Sequence, residues 1–111
     1  MKKHAYVITT YGNLKTLQCL IDQIDDIRND IYIHFDKKMN LDINSVHSKI
    51  SKLTIIEPTK VYWGDYTMIN CVIRLFEAAT NSGEQYSYIH LYMYCYHKSE
   101  CFRQAYQSKS L

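Results

Sequence analysis

Strand-like and helix-like segments alternate along this chain, and the alternation predicts an α/β fold: a mainly parallel sheet with helices on both faces. Two observations carry that expectation. Short runs rich in β-branched residues, Ala5-Tyr-Val-Ile-Thr9, Ile31-Tyr-Ile-His-Phe35 and Leu53-Thr-Ile-Ile56, are each bounded by turn-forming residues. Between them, apolar residues recur every three or four positions, the spacing that gives a helix one greasy face. At 111 residues and 47% hydrophobic, the chain can bury one core and has no room for a second.

The first strand, Ala5 to Thr9, runs into a Tyr11-Gly12-Asn13 turn. Leu14, Leu17, Leu20, Ile21 and Ile24 then predict an amphipathic helix of about three turns. Arg28-Asn-Asp30 interrupts it before the second strand, Ile31 to Phe35. Asp42 fits the N-cap of a short helix running through Val46 and Ile50. Leu53 to Ile56 is the third strand and Pro58 stops it. Val61 to Asp65 reads as a loop, with Asp65 as an N-cap or first-turn charge for a long helix from Tyr66 to Asn81. Met68, Ile69, Val72, Ile73, Phe76 and Ala79 are its expected inner face, and Gly83 stands where a C′ residue belongs. A fourth strand spans Tyr86 to Leu91. From Tyr92 to Leu111 no helical period or strand alternation is read, so residues 1–91 form the expected domain and 92–111 an atypical, poorly ordered tail.

Chemistry gathers where strands end. In an open α/β sheet, ligands bind outside the carboxyl ends of the strands, and here the second strand delivers Asp36, Lys37 and Lys38 to that edge. A carboxylate can accept from base or ribose donors while ammonium groups meet phosphate, although a strand ending in solvated charge reads the same way. There is no Gly-x-Gly-x-x-Gly run and no Gly-Lys-Ser, which argues against dinucleotide cofactors and ATP hydrolysis. A net charge of +2, with 13 basic residues scattered among 11 acidic ones, gives no field for nucleic acid. His90, Cys95, His97 and Cys101 lack the paired spacing of a structural zinc site. Cys19 and Cys71 fall in helical segments, where a reduced thiol behaves as a small hydrophobe. His34 is expected as a hydrogen-bonded core residue, and Trp63 can be read as a packing anchor between loop and helix.

Three segments in this order, His4-Ala-Tyr-Val-Ile-Thr-Thr-Tyr-Gly12, Asp30-Ile-Tyr-Ile-His-Phe-Asp-Lys-Lys38 and Val61-Tyr-Trp-Gly64, support a comparison. Together they resemble the amino-terminal half of the core-2/I-branching β-1,6-N-acetylglucosaminyltransferases, a family that includes the protein xylosyltransferases. The resemblance implies a GT-A-like, Rossmann-like sheet that holds a UDP-sugar donor through this half. Asp36 would face the donor nucleoside, Lys38 would lie near ribose or phosphate, Val7 or Thr9 would flank the base, and Trp63 and Gly64 would line the same pocket. It also implies inverting, metal-independent transfer to a glycan acceptor. The family's Ser-Gly-x-Asp-Leu-Pro segment and its catalytic glutamate have no counterpart here. The expectation is therefore a truncated donor half, inactive alone, its tail an out-of-frame or truncated remnant; the alternative is a non-catalytic α/β interaction module.

The Tyr6–Thr10 run is too short for a signal-peptide core, and no stretch nears the roughly 20 apolar residues of a membrane span. A cytoplasmic, bacterial setting is expected, with at most peripheral membrane contact. So is self-association through apolar surface left uncovered.

Overall fold

Alternation along β1 (Lys3–Tyr11) decides where both helical layers sit. Ala5 and Val7 point to one face and Ile8 to the other, and all three are fully buried. The β2 strand (Asn29–Phe35) repeats the device: Ile31, Ile33 and Phe35 join Ile8, whereas Tyr32 joins Val7. Two cores result, one on each side of a single sheet. The structure, a computed structural model, describes residues 3–11, 14–39, 42–62, 65–97 and 100–109, with side chains for those up to Tyr92 other than Tyr11.

Helix α1 (Leu14–Ile24) covers the Ile8 face through Leu17, Leu20 and Ile21, with Leu14 and Ile24 packed at the margin. Each buried Leu or Ile contributes roughly 1.5–3 kcal/mol of transfer free energy. Helix α2 (Tyr66–Thr80) covers the Val7 face through Leu75 and Ala79. The β3 strand (Lys52–Ile55) and β4 (Tyr86–His97) complete the parallel set, and β5 (Glu100–Lys109) runs antiparallel beside β4. Strand order is β3-β2-β1-β4-β5, with β1 to β4 all parallel. The chain first builds outward from β1 to β3, then returns to the other side of β1 with β4. The carboxyl ends of β1 and β4 therefore flank the switch point, where such sheets place ligands.

The α/β, mainly parallel architecture with a helix on each face is as expected, and five local features differ. The short helix after Asp42 is one 3₁₀ turn, Ile43–Ser45; Asp42 does cap it, accepting the Asn44 N–H at 3.0 Å. Beyond it, the Gln18 side chain pairs with both backbone groups of His47, and the Asp25 carboxylate takes the N–H groups of Lys49, Ile50 and Ser51. Backbone satisfied that way has no need of a helix. The inner face of α2 is Cys71, Leu75 and Ala79, at strict i, i+4 spacing, so Ile69 and Ile73 face outward at 63% and 48% exposure. Asn81 is the C-cap, and the left-handed residue, Gly83 at φ +88°, comes two positions later. Cys19 is exposed rather than packed, and both it and Cys71 are free thiols. Last, strand backbone extends into the stretch read as a poorly ordered tail: β4 continues to His97, and β5 spans Glu100–Lys109.

Candidate functional site

Asp36 follows β2 directly and is held from both sides by backbone. Its N–H donates to the Thr10 carbonyl at 3.2 Å, and it forms a parallel bridge with Thr59, whose carbonyl accepts the Lys37 N–H at 3.0 Å. The connector between β3 and α2 is thereby drawn across the carboxyl end of β2. The Asp36 side chain is 2% exposed. Its Oδ1 accepts from the N–H groups of Lys38 at 3.0 Å and Val61 at 3.3 Å. Its Oδ2 accepts no hydrogen bond among the described residues, and the Lys38 ammonium lies 3.7 Å away. That ammonium also sits 4.2 Å from the centroid of the half-exposed Tyr62 ring, a cation–π distance.

Beneath the connector, on the α2 side, lies a group of buried polar side chains. His34 is fully buried, and its Nε2 accepts the Thr59 N–H at 3.1 Å and lies 2.8 Å from the Thr59 hydroxyl. Acceptance at Nε2 puts the ring proton on Nδ1, which has no hydrogen-bond partner among the described residues. Burial, then the Arg74 charge, push the His34 pKa down to about 4 against the opposing pull of Asp36, so the ring is neutral at pH 7. Arg74 Nη1 is likewise buried without a hydrogen-bond partner among the described residues. The Cys71 thiol, raised above its ordinary range chiefly by burial, contacts the Thr9 hydroxyl at 3.5 Å and donates to the Met68 carbonyl at 3.1 Å. Since Thr59 occupies the His34 acceptor, Cys71 and His34 do not form a nucleophile–base pair.

Of the residues the sequence singled out, Asp36 and Lys38 come together at the rim. Thr9 is 8% exposed and turned toward α2, against Cys71. Val7 is a core residue: it is fully buried with Leu75 and Ala79, well short of the strand end, so it does not flank a pocket there. Trp63 and Gly64 lie outside the described residues, as do Gly12 and Asn13. Sequence reasoning passed over Thr59 and Arg74, and it carried Tyr62 only as part of the Val61–Gly64 segment. Arg74 carried a signal, being a charge set between the inward positions Cys71 and Leu75 of an amphipathic helix. The zinc reading meets His90 inside β4, with its Nε2 hydrogen-bonded to His4 Nδ1 at 2.8 Å; the side chains of its other members lie outside the described residues.

A hollow of about 500 Å³ lies elsewhere, lined by Gln18, Asp22, Asp25, His47, Lys49 and Ile50. Asp25 is already committed there to three backbone N–H groups, led by Ser51, which lower its pKa to about 2. The rim at Asp36 is the better site because its carboxylate keeps an oxygen without a hydrogen bond. Among the described residues no three His, Cys, Asp or Glu side chains are grouped to hold a metal ion, and no helix is long and apolar enough to cross a membrane.

These features define a class: a doubly wound α/β sheet with a carboxylate, an ammonium and an aromatic ring at the carboxyl end of its second strand. No protein-family model, curated protein or solved structure matches the chain.

Proposed function

We propose that the rim around Asp36 binds the nucleoside diphosphate of a UDP-sugar, as the donor half of a metal-independent glycosyltransferase resembling the core-2/I-branching and xylosyltransferase family. The observation that carries this reading is the buried Asp36 carboxylate at a strand's carboxyl end. Oδ1 is spent on backbone, and Oδ2 accepts no hydrogen bond among the described residues, with the Lys38 ammonium 3.7 Å away. A base or ribose donor reaches Oδ2 when Lys38 swings outward, and the swing carries the ammonium toward phosphate. Tyr62, half exposed beneath Lys38, offers a ring against which a planar group can pack.

The chemistry assigned to this chain is binding. Inverting transfer needs a carboxylate to deprotonate the acceptor hydroxyl and cations to meet the leaving diphosphate. Asp36 does not suit the first role, since its carboxylate is tied to backbone at the sheet edge, and no described residue is assigned to it. Binding without those groups stabilises ground state and transition state alike, so turnover by this chain alone is negligible on this reading.

Calorimetry tests the proposal. UDP binds with a dissociation constant on the order of millimolar, worth about 4 kcal/mol, and Asp36→Ala abolishes the heat. Equal heats from the two proteins would reject the site.

A second reading has its own observation. Tyr66, Ile69 and Ile73 make an exposed apolar stripe on the outer side of α2, as suits a non-catalytic interaction module.

A further inference from the structure

The geometry points to His34 as a positioning residue: by accepting the Thr59 N–H it pins the connector across the carboxyl end of β2, and so sets the Val61–Asp36 contact and the place of Tyr62 beneath Lys38. That the pinned segment serves ligand binding rests on the nucleotide reading; that it is pinned by His34 does not.

The connector leaves the sheet after the Ile56 N–H donates to the Ile33 carbonyl at 3.0 Å. From there to Tyr62, whose N–H meets the Thr67 hydroxyl at 2.9 Å, its described hydrogen bonds go to β2 and the residues just beyond it. Three of these converge on Thr59 and Val61: the Lys37 N–H to the Thr59 carbonyl, the Thr59 N–H to His34, and the Val61 N–H to Asp36. His34 is the member contributed from inside the sheet, and its ring is fully buried. An acceptor is what the position requires, because the group it meets is a backbone donor. Imidazole supplies one only while neutral, and its surroundings keep it so. Arg74 of α2 and burial oppose a second proton, Asp36 of β2 favours one, Cys71 of α2 is an un-ionised thiol, and Thr9 lies opposite on β1. A protonated ring would set a donor against the Thr59 N–H and keep contact only with the Thr59 hydroxyl, 2.8 Å from Nε2. The Nδ1–H, left without a hydrogen-bond partner among the described residues, marks a ring placed for its Nε2 contact rather than for its own satisfaction.

The test reads the connector directly, by amide hydrogen exchange at Thr59 and Val61 in the whole chain, alongside UDP titration. The folded pKa is depressed, so the pin is intact at neutral pH and is lost as pH falls through about 4. In the wild-type protein, protection of the two amides drops across that interval while that of Val7 and Ile33 in the core holds. His34→Gln, which keeps an acceptor and cannot take the proton, stays within about threefold of wild type in protection and in UDP affinity, and the protection of its Thr59 amide, the one His34 accepts, no longer depends on pH. His34→Leu loses roughly tenfold or more in both, as leaving a buried donor unsatisfied requires. Unchanged protection once the ring's nitrogen shifts report protonation would overturn the proposal, as would equal losses in the Gln and Leu variants. Should His34→Leu fail to fold, the acid titration of the wild type decides alone. Should wild type bind no UDP, the nucleotide reading fails and the amides still judge the pin.

Discussion

Both ends of β2 carry a buried carboxylate, and the two differ in how fully they are spent. Asp30, 1% exposed at the amino end, accepts from the Tyr86 hydroxyl at 2.7 Å and from the Lys3 ammonium at 3.3 Å. The Tyr32 hydroxyl lies 2.8 Å from that of Tyr86, and since Tyr86 donates to Asp30, Tyr32 donates to Tyr86. Burial, then these two partners, push the Tyr86 phenol far above its ordinary pKa, so Tyr86 stays protonated at any working pH. Each member has its partner, which makes this a structural network rather than a site. Tyr86→Phe removes the middle link and leaves Asp30 Oδ2 and the Tyr32 hydroxyl short of a partner inside the core. Denaturant unfolding should show a loss of about 1–3 kcal/mol; a loss below about 0.5 kcal/mol would mean that water takes the vacated bonds. Lys3 also reaches Glu84 at 3.9 Å, but that pair lies at the surface and contributes little. Asp36, by contrast, keeps an oxygen that accepts no hydrogen bond among the described residues and faces only the Lys38 ammonium at 3.7 Å, and for that reason the candidate site lies at this end of the strand.

At the scale of elements, the segment from His47 to Ser51 is held by side chains of α1 and the residue after it rather than by secondary structure of its own. Asp25 accepts from Ser51, Ile50 and Lys49 at 2.7, 3.0 and 2.6 Å, and it fixes the entry into β3. Asp25→Ala releases three donors at once, two of them open to water, and should cost about 0.5–1.5 kcal/mol, with exchange rising first at those three amides; exchange unchanged there would rule out the anchor. No sequence pattern announces such an anchor, because its partners are 24 to 26 residues apart. Strand and helix existence was legible for the opposite reason: β-branched runs and apolar periods are local, and the tertiary fold agrees with them. Asp36 and Lys38 were legible as an edge pair because a charge run after a strand has one place to go. Val7 was misjudged because a strand's end cannot be read to within two or three residues from its apolar run. In β4 a signal was present and overlooked: aromatic or imidazole residues at every second position from Tyr86 through Tyr96 are the period of a strand. The His34 pin was half visible, its burial expected and its partner Thr59 hidden by a separation of 25 residues.

At the scale of the molecule, the balance of buried and exposed surface bears on association. The sheet is covered on the Val7 side by the inner face of α2, yet the outer face of that helix exposes Tyr66 at 76%, Ile69 at 63% and Ile73 at 48%. The three lie at spacings of three and four residues along one helix, so they form one stripe rather than scattered exceptions. A contiguous apolar stripe on a small domain favours burial against another surface. A second copy is the surface always available at high protein concentration. Weight-average mass from sedimentation equilibrium should therefore rise with concentration for the wild-type chain. Ile69→Lys with Ile73→Lys should return it to the monomer value, and thermal stability should stay within a degree or two, because neither side chain belongs to the packed face of Cys71, Leu75 and Ala79. The double variant also separates the two functional readings. A nucleotide rim at Asp36 lies off the stripe, so UDP affinity survives the lysines, whereas an interaction module loses its working surface with them. A wild-type chain that stays monomeric across the whole concentration range would deny the stripe any role in self-association.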